Sequence, residues 1–411
     1  MTVLAEATAA TADGAAIESL FWIALVAVLS PVTARLTRGY VPDTVLLLVA
    51  GMVIGPHLLG WASGDGLSIL KELGLGMLFL LAGFELDVRL LGGRPARVAG
   101  LTWLVSLALA TGFVALLVSG AEITTVVAVA IAMTSTALGT LLPIIEQLGL
   151  LNRPLGRAVM ANGAVGELGP ILAMSLLLTS RSIGAAVVVL ILFGLAAVVT
   201  ALVPARLIRR IPFLGESLTE MNGGTFQLPV RVVFLLLVAL MAVAAVFDLD
   251  VVLGAFAAGI ILRRLIGERG PEMSESLEVI GFGVFIPIFF VMSGMAIDVH
   301  AVLAKPGTWA GFVRAIALAR GVPVWLSERF VTHGANLASP RERVQLALYC
   351  ATGLPIIVAV TDVAVRGNLL DAELASTMVA AGATTVLLFP LLARVVGSGA
   401  ASPSAAGDRT R

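Results

Sequence analysis

The sequence predicts an all-α polytopic membrane protein of about 13 transmembrane helices, with inverted repeats and two crossing broken helices. Hydrophobic residues make up 59% of the 411-residue chain and charged residues only 13%, whereas about a quarter of a soluble domain is charged. Many separate apolar runs reach the roughly 17–25 residues that one spanning helix needs. Two of these runs are interrupted by hydroxyl residues, glycine or proline, and non-helical backbone at membrane depth needs protein or a water-filled cavity beside it.

The predicted spans follow one another with short connections, so a single transmembrane domain is expected over residues 17–395. Residues 1–16 lack the basic start and apolar centre of a signal peptide and are predicted to be an exposed N-terminal arm. Residues 396–411 are small, polar and rich in Gly and Ser, which predicts a disordered cytoplasmic tail. The thirteen apolar segments are 17–34, 42–59, 66–86, 97–119, 121–144, 155–178, 183–206, 230–247, 250–265, 278–296, 307–327, 344–366 and 374–395.

The distribution of basic residues orients these spans. If the N-terminus lies outside, most arginines fall on or near the cytoplasmic face, and the opposite face keeps mainly Lys71, Arg181, Lys305 and Arg366. Cytoplasmic loops carry an excess of Lys and Arg. We therefore expect a multi-pass protein of the plasma membrane with its N-terminus outside and its C-terminus in the cytoplasm.

Two blocks of the chain, about 42–178 and 250–395, mirror each other in the order of their spans. The fourth span of each block is interrupted, at residues 133–143 in the first block and 351–362 in the second. Equivalent spans are separated by an odd number of crossings, so the two blocks have opposite orientations. Inverted repeats of this kind bring two broken helices together near the middle of the membrane.

A carboxylate and an amide lie inside the apolar run at 160–173, which reads MANGAVGELGPILA. An ionisable residue within a membrane helix usually faces a protein interior or a cavity and marks an ion pathway. Glu167 is the candidate carrier, whereas Asn162 is either an ion ligand or an interhelical hydrogen-bonding residue. A structural carboxylate paired with a buried arginine is the other interpretation of Glu167.

The first interrupted span adds three hydroxyl residues, Thr134, Ser135 and Thr136. Such hydroxyls commonly pack between membrane helices. In an unwound segment they and the freed carbonyl oxygens would instead replace part of the water shell of a monovalent cation, as oxygen ligands do in channel filters. The predicted ion- and proton-binding residues are therefore Glu167, Asn162, Thr134, Ser135 and Thr136.

Other residues are expected to support the broken helices. Gly139 in the first and Gly353 with Pro355 in the second are helix breakers. Arg320 lies well inside its span, where its charge could neutralise the carbonyl ends of the broken helices.

Three acidic residues lie near the ends of spans. Asp362 is either a ligand on the second broken helix or a structural residue near the outer interface, and its closeness to Arg366 favours the structural role. Glu85 and Asp87 precede Arg89 at a span end and are interpreted as a surface charge cluster.

Composition excludes several classes of protein. Cys350 is the only cysteine, which excludes a disulfide framework and a cysteine metal site. We expect no metal site and no cofactor, and the absence of a nucleophile–base arrangement argues against an enzyme. The net charge is zero and no segment forms a basic domain, so a nucleic-acid partner is not expected.

Over about residues 15–395 the chain resembles the cation/proton antiporter superfamily, in particular its bacterial monovalent branch. Six segments together carry the resemblance. They are 45–60 (VLLLVAGMVIGPHLLG), 81–88 (LAGFELDV), 134–150 (TSTALGTLLPIIEQLGL), 253–261 (LGAFAAGII), 286–299 (IPIFFVMSGMAIDV) and 353–362.

The resemblance implies that an acid beside the crossing carries the ion or proton, and that the protein is a homodimer. In the family this acid is usually the second member of a pair such as Asp-Asp, Asn-Asp or Gln-Asp. Here the matching pair is Gly166-Glu167, so the carrier role passes to Glu167. Some electrogenic relatives also have a lysine in the span before the second broken helix, whereas span 307–327 offers Arg314 and Arg320.

The function expected from these features is secondary active exchange of Na⁺ or K⁺ for protons by alternating access. A carboxylate that binds either a proton or a cation couples the two fluxes by competition. With one such acid the exchange is expected to be electroneutral. Partners other than the ions are membrane lipid and a second copy of the chain. A passive ion channel or ion-gated sensor on the same fold is the alternative, and an organic-anion symporter of similar design is a further one.

Overall fold

The structure is a computed structural model, and it describes residues 2–37, 41–86, 92–118, 120–178, 183–210, 228–266, 270–331, 337 and 339–398. These residues form α-helices, two π-helical turns and connecting loops, and no strand occurs among them. The helices are α1 (Thr2–Leu36), α2 (Asp43–Ile54), α3 (Ser68–Glu85), α4 (Gly93–Leu117), α5 (Ile123–Met133), α6 (Leu138–Gln147), α7 (Pro154–Leu177), α8 (Ile183–Arg210), α9 (Leu228–Val246), α10 (Val251–Ile266), α11 (Gly270–Ile280), α12 (Ile286–Met295), α13 (Val299–Ala304), α14 (Pro306–Ile316), α15 (Val322–Phe330), α16 (Pro340–Cys350), α17 (Leu354–Arg366) and α18 (Ala372–Ser398).

The helices occupy every predicted span. The turn Gly281–Phe285 joins α11 to α12, and the turn Ala317–Gly321 joins α14 to α15, so each pair makes one crossing. The pairs α5–α6 and α16–α17 are the two broken helices. Within the described residues, nine segments are long and apolar enough to span a membrane, and Asp43–Ile54 and Gly184–Thr200 are shorter apolar helices. The chain is therefore a multi-pass membrane protein, as the composition predicts.

Some boundaries differ from the predicted ones. Helix α1 begins at Thr2, so helix covers most of the segment predicted to be an arm. Helix α2 ends at Ile54, before the glycine at position 55, and is shorter than the predicted span. Helix α18 continues to Ser398, and the rest of the predicted tail, 399–411, lies outside the described residues.

The helices pack as two bodies. In the first body α3 packs against α10 and α12, α2 packs against α1 and α12, and α9 packs against α10. In the second body α4 packs against α5 and α7, α17 packs against α5 and α18, and α16 packs against α7 and α18. Direct contacts between the two bodies involve α10 with α7, α2 with α18, and α3 with α6. Helix α8 bridges the bodies, because it packs against α9 and α10 of the first and against α7 of the second. Both predicted repeats contribute helices to each body.

Small residues hold the first body tightly together. A side-chain carbon at Gly51 of α2 would overlap the carbonyl oxygen of Val291 in α12, and one at Gly294 of α12 would overlap the carbonyl oxygen of Leu48 in α2. Glycine lets membrane helices approach until their backbones touch. Because the contact is reciprocal, α2 and α12 pack together as one unit.

Candidate functional site

The two broken helices interrupt at neighbouring points inside the second body. Helix α5 ends at Met133 and α6 begins at Leu138, so residues 134–137 are unwound. Helix α16 ends at Cys350 and α17 begins at Leu354, so residues 351–353 are unwound. Both breaks fall within the predicted interruptions.

Hydrogen bonds join the first break directly to the second. Each runs from a donor in the first break to a carbonyl oxygen of the second break or of Cys350, the last residue of α16: Ala137 N to Thr352 O (2.6 Å), Thr136 Oγ1 to Cys350 O (2.6 Å) and Ser135 Oγ to Gly353 O (3.1 Å). Backbone groups freed at membrane depth need such partners. The two breaks therefore satisfy each other, and the helices cross as predicted.

The residues predicted to support the breaks lie at different points. A methyl group at Gly353 would overlap Ser135 Oγ, so only glycine fits there. Pro355 is in the first turn of α17, where a missing N–H costs nothing. Gly139 is in the first turn of α6 rather than in the break, and a methyl group on it would lie 3.9 Å from Glu85 Oε2. Gly139 thus faces an acid of the first body.

Arg320 reaches the crossing from the π-helical turn Ala317–Gly321 and is completely buried. Its Nε and Nη2 donate to Thr136 Oγ1 at 3.3 and 3.2 Å, and Nη2 also donates to the carbonyl oxygen of Asn162 at 3.0 Å. Since Thr136 in turn donates to the last carbonyl of α16, the guanidinium lies near the negative end of that helix dipole. Among the described residues, its Nη1 has no hydrogen-bond partner.

Helix α7 passes directly against this crossing at Gly166. The carbonyl oxygen of Gly166 accepts a bond from Thr136 N at 2.9 Å. A side-chain carbon at position 166 would overlap Thr136 Oγ1 and lie 2.6 Å from Arg320 Nη2. The missing side chain therefore lets α7 approach closely, and the following residue, Glu167, lies beside the crossing.

Glu167 is 6% exposed. Among the described residues, Glu167 forms no salt bridge, either with Arg320 or with another basic side chain. Glu85, at the end of α3, is close enough for its charge to act on Glu167. A carboxylate at this depth, next to freed backbone and without a paired arginine in the described chain, can take up a proton or a cation.

Asn162 lies five residues before Glu167 in α7 and is also buried. Its Nδ2 donates to the carbonyl oxygen of Ala158 in the same helix at 3.0 Å. Its Oδ1 is buried without a hydrogen-bond partner in the described chain. A buried unpaired acceptor is costly, and a cation or proton donor would relieve that cost.

The three hydroxyl residues have different partners. Thr134 Oγ1 donates only to Ile131 O at 2.9 Å, within its own helix, and so keeps its oxygen lone pairs. Ser135 Oγ also donates to Ala132 O at 2.8 Å. Thr136 donates to one carbonyl and accepts two bonds from Arg320, which uses the full capacity of a hydroxyl. In this arrangement Thr136 holds the crossing together, whereas Thr134 retains an oxygen that can bind a cation.

Asp362 lies near the end of α17 and is not brought to the crossing. Its Oδ1 pairs with Lys71 Nζ and its Oδ2 with Arg366 Nη2, both at 2.5 Å. Both oxygens are thus neutralised by cations, which agrees with a structural role.

Glu85 is the residue that the sequence interpretation missed. Its neighbours Asp87 and Arg89 lie outside the described residues, but Glu85 itself is only partly exposed and faces Gly139. The available signal was an acid at the end of an otherwise apolar span, within one of the segments that carry the family resemblance.

Cavities lie at both ends of the seam between the two bodies. A cavity of about 480 Å³ lies at the end where α18 finishes, which we call the Arg394 end, and its lining includes Thr44, Gly139, Phe282 and Arg394. A cavity of about 110 Å³ lies at the opposite end, which we call the Arg366 end. The wider cavity reaches α6 next to the crossing.

Comparison with known proteins gives a consistent result. The family model described as "Sodium/hydrogen exchanger, transmembrane" matches residues 23–394. The putative Na⁺/H⁺ antiporter YjbQ of Bacillus subtilis is 26% identical over 306 residues, 69% of this chain and 48% of that protein. The glutathione-regulated potassium-efflux system protein KefC of an Enterobacter strain is 26% identical over 389 residues, 92% of this chain and 59% of that protein. This chain therefore spans about half the length of the curated relatives it matches.

A solved structure has the same fold. The sodium proton antiporter MjNhaP1 from Methanocaldococcus jannaschii at pH 8 aligns with a TM-score of 0.63 and 18% identity, covering 93% of this chain and 97% of that one.

Proposed function

Because the chain belongs to the sodium/hydrogen exchanger family of membrane proteins, we propose that it is a secondary active antiporter that exchanges Na⁺ or K⁺ for protons. The names of its relatives include both Na⁺/H⁺ antiporters and a potassium-efflux protein, which supports a monovalent cation of either kind. The observation that carries the proposal is the buried Glu167 carboxylate beside two crossing broken helices.

Competition at Glu167 couples the two fluxes. The carboxylate binds either a proton or a cation, and each neutralises it. Asn162 Oδ1 and the Thr134 and Ser135 hydroxyls supply neutral oxygen ligands, which suit a partly dehydrated alkali cation. Arg320 and Thr136 keep the ends of the broken helices in place around the ion.

Alternating access follows from the two-body packing. Because direct contacts between the bodies are few apart from the bridging helix α8, the second body can move against the first with small loss of packing. The cavity of about 480 Å³ at the Arg394 end extends to Gly139, and it gives water and ions a path toward Glu167 from that side. The positive-inside rule assigns that side to the cytoplasm.

The exchange is electroneutral, one cation for one proton. Glu167 is neutral in both loaded states, and Arg320 stays protonated throughout. Asp362, an acid of the second broken helix, is held by Lys71 and Arg366. In proteoliposomes with a clamped potential, the final cation gradient should follow the pH gradient alone. A second moving charge would add about 2.3 kcal/mol per 100 mV, and a voltage-dependent gradient would reject electroneutrality.

The assembly is a homodimer in the plasma membrane, surrounded by lipid, with its N-terminus outside. Helix α8 supports a self-association face, because Val188, Ile191, Leu195 and Val199 lie on one side of it and are each more than half exposed. A monomeric mass in mild detergent and in lipid would reject the dimer. Labelling of Ala5→Cys and Ser402→Cys from the same side would reject the topology.

Fluorescence of a pH dye in everted vesicles tests the function directly, with Na⁺, K⁺, Li⁺ and Rb⁺ added in turn. Wild-type protein should release or take up protons on addition of at least one cation. Glu167→Gln should abolish the response while folding normally, because glutamine can neither release a proton nor neutralise a cation. Glu122→Gln, which removes an exposed carboxylate before α5, is the matched control and should behave like wild type. Cation uptake that continues when proton counterflow is blocked would indicate a channel instead.

A further inference from the structure

Four charged side chains join the two bodies at the Arg366 end, and we call them the ion cluster. Lys71 and Glu72 belong to α3 of the first body, whereas Asp362 and Arg366 belong to α17 of the second. Lys71 pairs with Asp362 (2.5 Å), Arg366 pairs with Asp362 (2.5 Å), and Arg366 also pairs with Glu72 (2.6 Å). These four side chains alternate in sign and together carry no net charge, and the charge of Asp250, just before α10, also acts on Arg366.

The side chains of the ion cluster differ in their exposure to solvent. The side chains of Lys71 and Asp362 are 20% and 19% exposed, and those of Arg366 and Glu72 are 46% and 41% exposed. Salt screens sheltered pairs less than exposed ones. Salt therefore screens the Lys71–Asp362 pair less than the Arg366–Glu72 pair, which lies on the solvent side of the cluster.

Directly beside the cluster is the cavity of about 110 Å³, and both bodies form its walls. Ser293 and Ile297 line it from the first body, and Val358 and Thr361 line it from the second. Val358 lies about one turn from the second break, so the cavity extends from the cluster toward the crossing. Ser293 Oγ is buried without a partner among the described residues, as expected for a wall that is solvated when the seam opens.

We propose that the ion cluster is the gate of the Arg366 end, and that its bonds between the bodies must break each time Glu167 becomes accessible from that side. The inference rests on the proposed antiport function for its role in transport, but the gate itself is a property of the two-body seam. Lys71 and Glu72 move with one body, and Asp362 and Arg366 move with the other. Opening therefore breaks the Lys71–Asp362 and Glu72–Arg366 pairs.

Cross-linking tests the gate during transport. Lys71→Cys with Asp362→Cys, in a Cys350→Ser background, would be joined by a short reducible bifunctional thiol reagent. Exchange should be lost on cross-linking and return on reduction. The matched control is Lys305→Cys with Glu373→Cys, an ion pair of the same length (2.5 Å) between the residue before α14 and the first turn of α18. Because α14 packs against α18, this pair lies within the second body. Its cross-link should leave exchange unchanged. Equal exchange in the two cross-linked proteins would overturn the proposal.

Thiol labelling tests the gate without transport. Ser293→Cys in the same background places a thiol in the cavity wall, and its rate of reaction with a water-soluble maleimide reports opening in purified protein. Lys71→Met should raise that rate about three- to fivefold, the change expected for loss of partly exposed ion pairs, whereas Lys305→Met should not. Equal rates would reject the gate even if exchange is normal. Faster labelling of Lys71→Met, with no exchange in wild type or in any variant, would support the gate and reject antiport.

Discussion

The first break, residues 134–137, contributes N–H groups and hydroxyls to the crossing, whereas the second, residues 351–353, contributes carbonyl oxygens. Each break therefore supplies what the other lacks, and the buried polar groups are satisfied in pairs. The two repeats share span order and break position but not the chemistry at the break. The comparison shows that an inverted repeat can be symmetric in topology and complementary in hydrogen bonding.

Arg320 is also bonded unequally to the two breaks. Arg320 donates to Thr136 of the first break and to the carbonyl oxygen of Asn162 in α7. It reaches the second break only through the Thr136 hydroxyl, which donates to Cys350 O. The first break thus bonds to α7, to Arg320 and to the second broken helix. The effect of a substitution should therefore grow with the number of these bonds that it removes.

The largest effect is expected from Gly353→Ala. The added methyl group overlaps Ser135 Oγ, so the breaks must move apart, which costs about 1–3 kcal/mol of stability, as overpacking does. Thermal unfolding followed by fluorescence-detected chromatography should show a lower Tm, and exchange should be lost. Gly112→Ala in α4, where a methyl group meets no atom within 4 Å, is the control. A Tm equal to that of the control would mean that the breaks are not in tight contact.

Thr136→Val should lower Tm and exchange almost as much as Gly353→Ala. Valine keeps the shape but leaves the Cys350 carbonyl and two Arg320 donors without their partner, at a cost of about 1–3 kcal/mol. Thr136→Ser restores the hydroxyl and should recover both Tm and exchange. Equal loss in Thr136→Ser would show that the methyl group, not the hydroxyl, is what matters.

Ser135→Ala should have a smaller effect. It removes the bond to Gly353 O at 3.1 Å and the bond to Ala132 O within its own helix. The link between the breaks is then weaker by one hydrogen bond, which contributes about 0.5–1.5 kcal/mol. A modest drop in Tm and a partial loss of exchange rate are expected. Ser106→Ala, which removes a buried hydroxyl bonded only within α4, separates the loss of a hydroxyl from the loss of the link between breaks. A larger drop in the control would assign the effect to the hydroxyl alone.

Thr134→Ala should have the smallest effect on stability, because its hydroxyl bonds only to its own helix. If it is one neutral cation ligand among several, the apparent affinity for the cation should fall while the maximal rate changes little. Initial exchange rates over a range of cation concentrations measure both. Thr385→Ala, whose buried hydroxyl donates in the same way to Gly382 O at 2.8 Å in α18, should leave both constants unchanged. A fall in maximal rate alone would argue for a role in packing.

Much of the fold could be predicted from the sequence because its determinants are local. The length of apolar runs fixes the spans, and hydroxyl residues, glycine and proline mark the breaks. Partners far apart in the chain could not be predicted. Thr136 bonds to a residue 214 positions away, and Lys71 pairs with Asp362 across 291 positions. The approach of Glu85 to Gly139 also depends on how α3 packs, and local sequence does not contain that information.

Finally, the π-helical turn Ala317–Gly321 makes the length of its span part of the site. Such a turn accommodates one residue more than an α-helix would. Each α-helical residue advances by about 100°, so removing one residue between Pro306 and Arg320 would turn the guanidinium away from Thr136 or shift α14 on its neighbours. Substitutions on the lipid-facing side of this span are tolerable, whereas an insertion or deletion changes the angular register of Arg320. A related sequence that aligns here without gaps should place its arginine in the same register. A related sequence with a gap here must reach the crossing with a basic side chain at another position.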